Sequence, residues 1–78
     1  MSSPPDHPNN RSLRELLRRA GLKTAAAITL FNRGRTQPVA FSTWSAWIAP
    51  AGSTFLAPLP DRELAHAEQV FGELAMPG

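Results

Sequence analysis

Residues 24–49 read TAAAITLFNRGRTQPVAFSTWSAWIA, and this stretch decides the fold class that we expect. Thr24 is a residue type that favours a helix N-cap, and the apolar run behind it has high helix propensity as far as about Arg33. The alanines at 25–27 would let a neighbouring helix approach closely. We therefore predict a helix over residues 24–33.

A further helix is predicted over residues 41–49. Trp44, Trp47 and Ile48 recur at the i, i+3 and i+4 spacing of one helical face. Some alternation is also visible, so a strand is the competing interpretation, but the tryptophan spacing favours a helix with an apolar, core-facing side. The predicted boundaries are Ser42 or Thr43 as the N-cap and Pro50 as the stop.

The segment between these two helices, residues 32–40, is several residues longer than the turn of a standard helix-turn-helix. It contains Arg33, Arg35 and Pro38. One interpretation makes it a basic finger that binds phosphate beside the next helix. The other is that the two helices do not form a true helix-turn-helix.

Two more helices flank this region. Ser12-Leu13-Arg14-Glu15 has the pattern of a capping box, which predicts a first helix from Ser12 that ends at Gly21. A last helix is predicted from Pro60-Asp61, with Glu63 in its first turn. We expect an all-α, four- to five-helix compact domain over residues 11–76, preceded by a flexible tail at 1–10.

Composition excludes several classes of protein. The chain has 78 residues, 42% of them hydrophobic, and no cysteine, so we expect one small folded domain without disulfides or thiolate metal sites. No signal peptide or membrane-spanning run is visible, which predicts a cytoplasmic protein without a membrane partner. No catalytic, metal-binding, cofactor-binding or small-molecule motif is present, so we do not expect an enzyme. The histidines, His7 and His66, lie far apart in the sequence.

Charge is unevenly distributed along the chain. Residues 1–35 carry seven basic side chains and two acidic ones, whereas residues 36–78 carry one basic and four acidic ones. Most of the basic residues are arginine, whose planar guanidinium suits phosphate. The basic half predicts a surface for a polyanion, although a merely solvated helix face is an equally simple explanation.

The order of elements, a short helix, a small-residue helix, a turn and a helix with a Ser/Thr-rich face, is the helix-turn-helix plan. Residues 13–22 match the pattern LxxLLxxAGL, residues 42–48 are similar to STVSxWL, and residues 60–65 resemble the start of a closing helix. On these stretches the chain resembles small Cro/repressor-type regulators of phage and mobile elements, with a layout similar to that of anti-CRISPR-associated regulators.

The resemblance implies a sequence-specific DNA-binding regulator that represses its own operon. It would place base-reading residues in the major groove and other residues on phosphates. For Phe41, a thymine-methyl contact and a core or capping role remain equally open. Trp44 and Trp47 are expected in the core rather than stacked on single-stranded bases. The implied base-reading residues are Phe41, Ser42, Thr43 and Ser45, and the implied phosphate-binding residues are Lys23, Thr24, Arg33, Arg35 and Gln37.

The same family implies a homodimer on an inverted-repeat operator. We expect the acidic C-terminal half to dimerise, because it carries the remaining apolar side chains. The alternative is a small phage- or plasmid-encoded factor that binds and modulates a host protein, with residues 55–59 as its anchor. The predicted dimer residues are Phe55, Leu56, Leu64, Val70, Phe71 and Leu74.

Overall fold

The computed structural model describes residues 7–75, and within that range the helix is the only regular secondary structure. Its elements are α1 (Pro8–Ala20), α2 (Thr24–Asn32), α3 (Phe41–Ile48) and α4 (Asp61–Ala75). The all-α prediction is confirmed, as is the helix rather than the strand at residues 41–48. None of the helices in this range is long and apolar enough to cross a membrane.

The first helix begins four residues earlier than predicted. Its N-cap is His7, and Pro8 occupies the first helical position, where its fixed φ fits the helix and its missing N–H costs nothing. The prediction that Ser12 caps this helix is wrong, because Ser12 lies within the second turn and the cap position is already taken. The predicted tail at 1–10 is likewise too long: residues 8–10 are helical, while residues 1–6 lie outside the described range.

Gly21 ends α1 as predicted. It adopts a left-handed conformation with φ 68°, and its N–H donates to the carbonyls of Leu17 and Arg18. The starts of α2 and α3 differ slightly from prediction. Lys23 and Ala40 hold the two N-cap positions, and neither makes a side-chain capping bond. Thr24 is the first residue of α2, and Ser42 and Thr43 lie in the first turn of α3.

The hydrophobic core is built around aromatic rings. Phe31 of α2 lies with its ring centre 4.9 Å from that of Trp44 and 6.2 Å from that of Trp47. Phe71 of α4 stacks on Phe31 at 6.4 Å and contacts Trp44 at 6.3 Å. Trp44 and Trp47 are both buried, so the prediction that they belong to the core is confirmed. These contacts join α2, α3 and α4.

The helices α1 and α4 form the most extensive helix pair, while α3 also packs on α1 and α2 on α4. The two N-terminal ends of the main pair are joined by Asn9, whose Nδ2 donates to Asp61 Oδ1 at 2.6 Å. Leu13 of α1 and Ala67 of α4 are fully buried. This helix pair is the base on which α2, the following turn and α3 are mounted.

A fully buried asparagine anchors the connector between α3 and α4. Asn10 Nδ2 donates to the carbonyls of Trp47 and Ala57 at 3.0 and 2.7 Å, and its Oδ1 accepts from the N–H of Leu59 at 2.8 Å. Arg14 Nη1 adds a bond to the carbonyl of Ala49 at 3.1 Å. Both polar atoms of the buried Asn10 side chain therefore have hydrogen-bond partners, and the end of α3 is fixed against α1.

Candidate nucleic-acid interface

The first turn of α3 presents three consecutive side chains to solvent. Phe41, Ser42 and Thr43 are all exposed, and the Phe41 side chain has 62% of its surface accessible. Of the two roles left open for Phe41, a buried core role is therefore wrong. Trp44 and Trp47 hold the opposite face of the same helix in the core. The helix is thus rigidly mounted, and its exposed end carries one aromatic group and two hydroxyls.

Ser45 is placed differently from the other predicted base-reading residues. It is half-buried, one residue beyond Trp44, whereas Ser42 and Thr43 are exposed. Ser45 therefore flanks the exposed turn rather than standing at its centre. All four predicted base-reading residues lie on α3; three of them are exposed and Ser45 is half-buried.

The turn between α2 and α3 is closed rather than extended. Asn32 Nδ2 donates to the carbonyl of Val39 at 3.0 Å, and the N–H of Val39 donates to Asn32 Oδ1 at 2.8 Å. Gly34 takes a positive φ of 76°, which the reversal of the chain requires. Its neighbour Arg35 donates its N–H to the carbonyl of Asn32 at 3.1 Å. The two ends of the turn are therefore joined by hydrogen bonds, while residues 36–38 between them are exposed.

Arg35 is held inside the molecule. Its guanidinium carbon lies 4.7 Å from the centre of the Phe31 ring. Its Nη2 lies 3.1 Å from Oε1 and 2.8 Å from Oε2 of Glu63, and the two side chains are only 20% and 12% exposed. Among the predicted phosphate contacts, Arg35 is the one whose charge already has an internal partner.

The other predicted phosphate-binding residues are exposed. Lys23 and Thr24 lie at the start of α2, Arg33 follows its last residue, and Gln37 lies in the turn. Within residues 7–75, neither Lys23 nor Arg33 takes part in an ion pair. Their charges are therefore available to an external anion.

The two arginines at the end of α1 share a single carboxylate partner. Arg18 and Arg19 both bond to Glu15, at 2.5 and 3.0 Å from its Oε1. The hydrogen bonds from Arg18 and then Arg19 lower the pKa of Glu15 from 4.5 to about 2, and the same contact raises the pKa of Arg18. Arg19 and Glu15 line an open groove along α1, together with Arg11 and with Glu68 of α4.

Acidic side chains are absent from the whole sequence between Glu15 and Asp61. That interval contains α2, the turn and α3, so every ionised side chain that these three elements contribute is cationic. The acids that approach this region come from α4, and the buried Glu63 is already paired with Arg35. The elements that carry the predicted base-reading and phosphate-binding residues therefore contribute cations and hydroxyls but no carboxylate.

Three α4 residues that were not predicted as site residues lie beside the turn. An open groove is lined by Arg62, Glu63 and His66 on one side and by Arg35, Thr36 and Gln37 on the other. His66 Nε2 lies 2.8 Å from the carbonyl of Phe31. No sequence signal links residues 28 to 35 positions apart, so this association could be found only from the tertiary structure.

The predicted dimer residues do not form one accessible surface. Phe71 is fully buried in its own core, so its assignment to a dimer interface is wrong. Leu64 and Val70 are half-buried against the same core. Phe55 and Leu74 are the strongly exposed members, at 80% and 51%. Leu56 is half-buried.

The described residues contain no group of three or more histidine, cysteine, aspartate or glutamate side chains that could hold a metal ion. Comparisons with protein-family models, with curated proteins and with solved structures found no match for this chain. Functional inference therefore rests on the residues and geometry of the chain itself.

Proposed function

We propose that this protein binds double-stranded DNA with the exposed first turn of α3 and acts as a transcriptional regulator. The observation that carries the proposal is the placement of Phe41, Ser42 and Thr43. They stand outward on a helix whose other face is fixed by buried tryptophans, within a part of the chain that has no acidic residue. The protein would act in the cytoplasm, as an autorepressor.

Affinity in this proposal comes from phosphate contacts. Lys23 and Arg33 supply charge, and Thr24 and Gln37 supply neutral donors beside them. Such contacts bind any duplex and release counterions, so they make affinity fall steeply with salt. They set the register of the protein on the duplex but do not read its sequence.

Sequence preference would come from the end of α3. Hydroxyls of Ser42 and Thr43 bond to either donors or acceptors of base edges and so discriminate weakly. The exposed ring of Phe41 is suited to the methyl group of thymine, the only apolar group in the major groove. Ser45 would contribute at the margin. A single copy would therefore recognise few bases, and a homodimer on an inverted repeat would double the site.

The proposal is tested by fluorescence anisotropy with labelled duplexes, first a generic one and then one selected by the protein from a random pool. Arg33→Ala should weaken binding to both duplexes and lower the salt slope by about 0.9, the value for one lost phosphate contact. Arg19→Ala removes the same charge from the α1 groove and should change neither. Absence of duplex binding by the wild-type protein, even at about 50 mM salt, would refute the proposal.

Base reading needs a separate variant. Thr43→Val keeps the shape of the side chain and removes its hydroxyl, while Thr29→Val makes the same change on the exposed side of α2. We expect Thr43→Val to reduce the preference for the selected duplex without altering the salt slope, and Thr29→Val to leave the preference intact. Equal effects of the two substitutions would argue against α3 as the reading element.

The alternative, a factor that binds a host protein through residues 55–59, depends on the exposure of that segment. Phe55 is highly exposed, but Leu59 is buried and its N–H is bonded to Asn10. The predicted anchor is thus reduced to one large apolar side chain. We therefore place DNA binding first and keep Phe55 as the observation that favours the alternative.

A further inference from the structure

Two side chains on one face of α4 hold the end of α2. His66 lies one helical turn after Glu63. The carbonyl of Phe31 has only acceptor capacity, so the His66 Nε2 atom 2.8 Å away must carry the proton and donate it. The His66 ring also meets the Phe31 ring edge-on, with 4.7 Å between centres. One of the last carbonyls of α2, which has no partner within its own helix, is thereby satisfied by α4.

The second contact fixes the turn. Arg35 places its guanidinium carbon over the Phe31 ring, and its Nη2 lies within 3.1 Å of both carboxylate oxygens of Glu63. Glu63 Oε2 is buried and has no hydrogen bond of good geometry among the described residues, so the charge of Arg35 is what compensates it. Removing Glu63 alone would take the ion-pair partner from Arg35, and removing Arg35 would leave Glu63 with only the exposed Arg62, whose Nε lies 3.9 Å from Oε1.

A largely buried ion pair of this kind is poorly explained by stability alone. Replacing both partners by well-packed apolar side chains of similar volume is often neutral or stabilising, because the desolvation of two charges offsets their attraction. The ion pair instead fixes the position of the Arg35 side chain in the turn. Arg35 is fixed at once by a ring, a carboxylate and its own backbone bond to Asn32, and α3 begins six residues later.

We infer that Glu63, acting through Arg35, is a positioning residue for the DNA-contacting surface. The inference rests on the proposed function and adds that α4 sets where the turn and the first turn of α3 stand relative to the rest of the protein. Arg35 is a tether in this arrangement rather than a phosphate contact. The cations that meet DNA are then Lys23 and Arg33, and the turn residues beside Arg35 are held in place by α4.

The double variant Arg35→Met/Glu63→Met tests this directly. It leaves the net charge of the protein unchanged and keeps long apolar side chains at both sites. We expect the far-UV circular dichroism spectrum, the affinity for generic duplex and the salt slope to remain as in the wild type. We expect the preference for the selected duplex over the generic one to fall about tenfold.

A second variant covers the case in which the double substitution does not fold. Arg35→Lys conserves the charge and the ion pair but loses the planar group on Phe31. It should lower the preference by a smaller factor, again with an unchanged salt slope. A fall in the slope of about 0.9 in the double variant would instead identify Arg35 as a phosphate contact and overturn the inference.

The remaining outcomes separate this inference from the proposed function. Full retention of sequence preference by both variants would overturn the positioning role while leaving DNA binding intact. If the wild-type protein binds duplex but prefers no sequence, α3 reads no bases and the positioning role of Glu63 is overturned. A wild-type protein that binds no duplex removes the proposed function and this inference with it.

Discussion

Asn32 and Val39 exchange two hydrogen bonds across the turn between α2 and α3, so that a side-chain amide takes the place of a backbone partner. The amide nitrogen of Asn32 donates to the carbonyl of Val39, and the N–H of Val39 donates to the amide oxygen. The six residues between them are thereby enclosed in a loop whose two ends are fixed. The position of α3 relative to α2 depends on this closure.

The first prediction concerns that closure. Asn32→Ala removes both bonds and leaves two half-buried backbone groups to find water, so we expect the free energy of unfolding to fall by about 1–3 kcal/mol. Gln37→Ala, in the exposed part of the same turn, should change it by less than about 0.5 kcal/mol. Urea denaturation measures both. Equal stability of the two variants would show that the Asn32 bonds do not hold the turn.

The second prediction separates two descriptions of the start of α1. A capping serine costs about 0.5–2 kcal/mol when it is replaced by alanine. In the structure Ser12 is an exposed residue within the helix, where alanine has the higher helix propensity. We therefore expect Ser12→Ala to leave the urea midpoint unchanged or to raise it slightly. A decrease of about 1 kcal/mol in the free energy of unfolding would instead show that Ser12 caps the helix.

The parts of the fold that were predictable from sequence depend on neighbours in the chain. The spacing of Trp44 and Trp47 reveals a buried helical face, and Gly21 marks a helix end, because both signals lie within one or two turns. Pro8 is also a local signal, because proline favours the first position of a helix. A helix that begins at Pro8 is incompatible with the predicted tail over residues 1–10.

The rest depends on contacts between distant residues. In the sequence, Asn10 has the character of a residue in a polar tail. In the structure, its side-chain amide donates to the carbonyl of Ala57 and accepts from the N–H of Leu59. From its charge and position in the sequence, Arg35 is predicted to bind phosphate. In the structure it pairs with Glu63, which lies 28 residues away in the chain. Phe71 has the spacing of an interface residue as much as that of a core residue. Polar residues with one strong tertiary partner are invisible to periodicity, and the candidate site contains several.

The third prediction concerns pH. The hydrogen bonds from Arg18 and Arg19 lower the pKa of Glu15 from 4.5 to about 2 in the folded protein. Because the folded value is the lower one, the contribution of Glu15 to stability is fully present above pH 4.5 and is lost as the pH falls toward 2. A carboxyl carbon titration by NMR should place the Glu15 midpoint near the lower value.

Two controls sharpen this test. High salt should move the Glu15 midpoint back toward its ordinary value, because an ion pair on the protein surface is screened. Glu15→Gln should make stability less dependent on pH below 4.5. A Glu15 midpoint at its ordinary value in low salt would show that the arginine contacts do not persist in solution.

The fourth prediction separates core residues from dimer residues. Phe71 stacks on Phe31 and contacts Trp44, so Phe71→Ala should cost about 3–5 kcal/mol in the free energy of unfolding at every protein concentration. Phe55→Ser and Leu74→Ser alter exposed side chains and should leave the circular dichroism spectrum unchanged.

Association is then measured by sedimentation over a range of protein concentrations. If the proposed homodimer buries the exposed Phe55 or Leu74, the corresponding serine variant should shift the monomer–dimer equilibrium toward monomer by about tenfold or more, since burial of a large apolar side chain contributes about 1.5–3 kcal/mol. It should also weaken binding to an inverted-repeat duplex more than binding to a single half-site, because only the repeat engages both copies. A dimer that survives both substitutions must use another surface, and a protein that stays monomeric at all concentrations would leave each α3 to read its half-site alone.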